Sequence, residues 1–97
     1  NLGEAVPAVV DLDRKIEIAT RPSGALDMKT WHTCETTHCR AGWAIVLAGQ
    51  AGRDLEERVG PYAAGALIYA ASRPDRRVPD FYATNKDARQ SIEEDAL

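Results

Sequence analysis

Apolar positions along this chain recur at helical rather than strand spacing. Leu12, Ile16 and Ala19 fall at i, i+4 and i+7 behind Asp11, a residue type suited to an N-cap, and predict a helix over residues 12–20 that "RPSG" at 21–24 breaks. Thr36 or Thr37 can cap a second helix running to about residue 48, with Cys39, Gly42, Trp43, Val46 and Leu47 on one face and Gly49 as its stop. A short helix over 53–59 turns Leu55 and Val59 inward, leaves Asp54, Glu56, Glu57 and Arg58 wet, and ends at Gly60. Pro61 suits a first helical position, and residues 62–72 are apolar almost all round, the pattern of a central buried helix. Pro74 and Pro79 bracket a loop, after which Thr84 and Asp87 form a capping-box pattern opening a last helix that reaches about residue 95. That helix has only Ala88 and Ile92 as a core stripe, and Glu93, Glu94 and Asp95 oppose the dipole at its C-terminal end, so fraying is expected there. Val6, Val9 and Val10 can form an edge strand. The expected fold is all-α, a small bundle of four to five short helices with room for a short N-terminal extended segment.

Length fits this reading, because 97 residues form one core-bearing domain but not two. Of the 44% hydrophobic residues many are alanines, which predicts a thin core in which helices approach closely and each residue buries little area. A formal charge of −3 gives no long-range attraction to phosphate and argues against a nucleic-acid partner. Arg73, Arg76 and Arg77 are a local exception, interleaved with Asp75 and Asp80, and internal neutralisation is the expected outcome. The longest apolar run, residues 63–71, is far short of the ~20 residues a membrane span needs. Residues 1–8 lack the basic and apolar regions of a signal peptide, and the first residue is Asn1 rather than Met, so a trimmed fragment with a cytoplasmic default is expected.

Chemistry concentrates in one stretch. "WHTCETTHCRAGWA", residues 31–44, holds both cysteines, both histidines and both tryptophans. Placed in the first turn of the second helix beside His38, Cys39 sits where unsatisfied N–H groups favour thiolate. In that case Cys39 would be a nucleophile or peroxidatic thiol, Cys34 the resolving thiol and His32 or His38 the base. The favoured alternative is inward packing of Cys39 in register with Gly42, Trp43 and Val46, because no third group completes a triad. His32, Cys34, His38 and Cys39 are also a candidate zinc set, but adjacent helical residues point about 100° apart, so the spacing is poor. A Cys34–Cys39 disulfide is easier to close across a turn and helix start. Trp31 and Trp43 are expected as core anchors, with Gly42 a close-contact position at a helix crossing.

The segment 27–43 resembles a group of uncharacterised bacterial and phage proteins that share D-M-x-x-W-H-x-C-x-T-x-H-C-x-A-G-W, and the likeness continues through "ALIYAAS" and "VPDFYATNKDA". Glu35 stands where glycine is common in that group. The resemblance implies no activity, substrate or cofactor. In some members the segment lies in the C-terminal part of longer chains, which implies an appended module. The sequence as a whole therefore points to a non-enzymatic helical module, without a cofactor, that associates with another chain, another domain or a second copy of itself. A thiol-dependent enzyme and a small zinc domain are the alternatives.

Overall fold

The computed structural model describes residues 6–29, 32–34 and 37–97, with 32–34 as backbone only. Trp31 and the candidate cap Thr36 lie outside the described residues, as do the side chains of His32 and Cys34. Five helices are described: α1 (Leu12–Ala19), α2 (Arg40–Leu47), α3 (Gly49–Val59), α4 (Pro61–Ser72) and α5 (Asn85–Asp95). A two-stranded antiparallel ribbon, β1 (His32–Cys34) and β2 (Thr37–His38), precedes α2, with His32 opposite His38 and Cys34 opposite Thr37. The molecule is a small all-α fold with this one ribbon added.

The ribbon explains why α2 does not begin at a threonine. His38 donates its N–H to the Ala25 carbonyl at 3.0 Å and accepts from the Asp27 N–H at 3.0 Å, so its backbone is committed to a ladder rather than to a helical turn. The helix can start only beyond it, and Cys39, in extended conformation, becomes the N-cap. At the other end of α2, Gly49 at φ 69° stops the helix as expected. The same residue opens α3, which is therefore longer than the span over 53–59 read from its polar face.

Gly60 at φ 87° ends α3 and Pro61 opens α4, as their residue types require. Thr84 caps α5 by accepting from the Asp87 N–H at 3.2 Å, and Ala88 and Ile92 are its buried residues. Asp11, by contrast, sits in the left-handed region at φ 56° with no side-chain capping bond. No strand forms at residues 6–10. Instead Val9 is buried and donates its N–H to Ser72 Oγ at 2.8 Å, tying the N-terminal segment to the end of α4, while Val10 points outward.

Ile16, Ala41, Ala44, Ile45, Leu55, Ala64 and Ile68 are essentially inaccessible and form the centre of the core. A tight helix crossing lies at Ala41, where a Cβ on Gly65 of α4 would stand 2.5 Å from the Ala41 Cβ; its neighbour Gly42 is also buried. Trp43 anchors the ribbon side of the core, its Nε1–H donating to the Ala25 carbonyl at 2.7 Å. No helix of the described residues is long and apolar enough to cross a membrane.

Candidate functional site

Three features of the described residues carry functional groups: the start of α2, an arginine–carboxylate cluster behind it, and an aromatic face on the 73–84 loop. At the start of α2, Cys39 is only 1% exposed and its Sγ accepts from the Gly42 N–H at 3.3 Å. Burial pushes the thiol above its ordinary range, and the hydrogen bonds from the Gly42 and Ala41 N–H groups only partly offset this. The expected lowering by the helix N-terminus is thus outweighed by desolvation. Native protein treated with iodoacetamide near neutral pH should leave Cys39 unmodified, with labelling appearing only on unfolding; peptide mapping reads this, and rapid native labelling at Cys39 would contradict it.

Cys39 carries a free thiol, so the Cys34–Cys39 disulfide is not formed. The register gives the reason: Cys34 pairs with Thr37 in the ribbon, whereas Cys39 lies past its end with Sγ committed to the helix cap. His38 is buried and meets Trp43 edge-on, with ring centroids 4.7 Å apart. Of the candidate zinc set, then, the two residues with described side chains are both packed into the core. The described residues contain no cluster of three metal-ligating side chains.

Arg40 is the residue that the reading of this stretch overlooked. It is 1% exposed, and its guanidinium donates to Tyr69 Oη at 2.9 Å, Ser91 Oγ at 2.9 Å and Asp95 Oδ2 at 2.7 Å. Asp95 also accepts from Arg73 at 2.9 Å and lies 3.3 Å from Arg76, and both arginines reach Asp13 at 2.8 Å. Neutralisation of Arg73 and Arg76 is therefore internal, but it comes from α1 and α5 rather than from Asp75 and Asp80. The cluster also ties down the C-terminal end of α5, where unopposed acidic charge predicted fraying. Arg73 stacks on the Tyr69 ring at 4.8 Å, and its Nε is a buried polar atom without a partner. Its two terminal nitrogens, held by Asp13, Asp95 and the Arg77 carbonyl, fix the orientation that leaves Nε unpaired. The sequence signal was faint: one charge in an otherwise apolar turn, "CRAGWA", must be buried and paired if that turn is buried on all sides.

Burial raises the Asp95 carboxyl, but hydrogen bonds from Arg73 and Arg40 outweigh it and hold the group below its ordinary value. A depressed carboxylate contributes stability above its unfolded pKa and loses it as pH falls through the folded one. The urea midpoint should therefore drop as pH falls below about 4, the unfolded carboxylate range. Asp95→Asn should start lower and lose less across that window; an equal pH slope in both proteins would remove Asp95 from the account.

On the outer surface, Tyr62 of α4 and Tyr82 of the loop stack at 5.6 Å and 22°, and Tyr62 also meets the buried Phe81 edge-on at 5.6 Å. Tyr82 is 75% and Tyr62 46% exposed. Neither tyrosine stood out in the sequence, because the apolar run of α4 concealed its exposed side. Beside Tyr82 lies an open groove of about 460 Å³ between the turn at Met28 and Lys29 and the start of α5. Comparison of the chain with protein-family models, with curated proteins and with solved structures gave no match.

Proposed function

We propose that this domain is a non-enzymatic interaction module that engages another protein chain through the face bearing Tyr62 and Tyr82. The carrying observation is the stacked tyrosine pair, held outward on a buried support of Phe81 and Tyr69, which lie 5.8 Å apart. Rigid aromatic side chains offer contact area at little ordering cost and are favoured anchors of protein interfaces. The reactive groups support the same reading. Cys39 serves as a buried helix cap, while Arg40, Arg73, Asp13 and Asp95 are engaged with one another. Panning a displayed random-peptide library on the intact chain, with Tyr82→Ser as the counter-selecting surface, tests the proposal. Enrichment of peptides that bind the chain and not the variant is expected. Enriched peptides that bind both equally, or no enrichment at all, would overturn it.

A further inference from the structure

We infer that the groove beside Tyr82 takes an acidic peptide segment carrying one aromatic or large apolar side chain, an inference that rests on the interaction-module reading. The groove is built before any partner arrives, since the Met28 N–H donates to Asn85 Oδ1 at 2.7 Å and joins the turn to the first residue of α5. Its volume of about 460 Å³ can hold one bulky side chain with part of the adjoining backbone. Met28 and Tyr82 supply the apolar wall, and the Met28 Sδ accepts from the Arg40 N–H at 3.4 Å, which holds that side chain in place.

The charged side chains among the lining residues are Lys29 and Lys86, both exposed, one on the turn and one in the first turn of α5. Asp27 and Asp80, which accept from the Lys29 N–H at 3.0 Å and the Tyr82 N–H at 2.8 Å, and Asp87 in the first turn of α5 adjoin the groove in sequence, but no carboxylate is among its described lining residues. The groove also lies at the N-terminal, positive end of α5. An apolar anchor flanked by carboxylates matches this arrangement. A long polyanion does not, because the chain as a whole carries a formal charge of −3.

Fluorescence anisotropy with labelled peptides tests the inference on the full chain. The probes are a tryptophan flanked by glutamates, the same peptide with glutamines, the same with lysines, and an oligothymidylate. The glutamate peptide should bind most tightly and weaken with added salt. The double variant Lys29→Glu, Lys86→Glu should bind it roughly tenfold less well and prefer the lysine peptide, with unchanged helical content because both lysines are exposed. Equal binding of glutamate and glutamine peptides, indifference to the charge reversal, tighter binding of the oligothymidylate, or no binding would each overturn it. If library panning still yields Tyr82-dependent peptides without acidic residues, the interaction module stands and the acidic partner alone falls.

Discussion

Arg40→Ala should destabilise the fold by about 3–5 kcal/mol, the range for removing one partner of a buried ion pair. That is a large share of the ~5–15 kcal/mol available to a domain. Urea denaturation followed by circular dichroism measures it. The side chain is 1% exposed, and its loss leaves Tyr69 Oη, itself fully buried, without its arginine donor and removes a hydrogen bond from Ser91. Asp95 keeps Arg73 and Arg76, so the damage is partly contained. Arg40→Lys should recover little, because an ammonium is one point charge and cannot span three acceptors as the planar guanidinium does. Arg40→Met should fall between alanine and the parent, since it restores volume without polarity. A methionine variant as stable as the parent would show that the cluster contributes specificity of packing and not net stability.

The helices were legible from apolar patterning and from boundary residues: Gly49, Gly60, Pro61 and Thr84 all mark ends that the structure places at those residues, whereas Asp11 makes no capping bond. The ribbon was not legible. Strands of three and two residues show no alternation, and β2 exists because residues 25–27 close over it from the other side. That tertiary partner displaced the helix start from the threonines to Cys39, a residue type that propensity does not select as a cap. The candidate site divides in the same way. The stretch around Cys39 was conspicuous by composition, yet its described members prove to be interior. The exposed groups on which the proposed function rests, Tyr62, Tyr82, Lys29 and Lys86, are ordinary residues scattered over the chain, and only folding brings them near one another.

The thin alanine-rich core has a sharper consequence at Gly65. An alanine there should favour the α4 helix by about 1 kcal/mol on intrinsic propensity. Its Cβ, however, would meet the Ala41 Cβ at 2.5 Å and the Ala41 Cα at 3.0 Å. Optimal carbon–carbon separations are about 3.5–4.0 Å, and neither contacting atom is the end of a flexible chain that can swing aside. The two helices must part, carrying with them Ala44, Ala64 and Ile68, all essentially inaccessible. Gly65→Ala should therefore cost a net ~1–3 kcal/mol despite its helix preference, and Gly65→Leu more. Thermal unfolding should show midpoints lower by about 4–8 °C for each kcal/mol. Ala41→Gly, destabilising alone, should offset much of the loss when combined with Gly65→Ala, because it removes the methyl group that the new one strikes. Additive losses in the double variant would mean that the two helices are not in contact at this pair, and a Gly65→Ala protein more stable than the parent would show that the crossing yields at little cost.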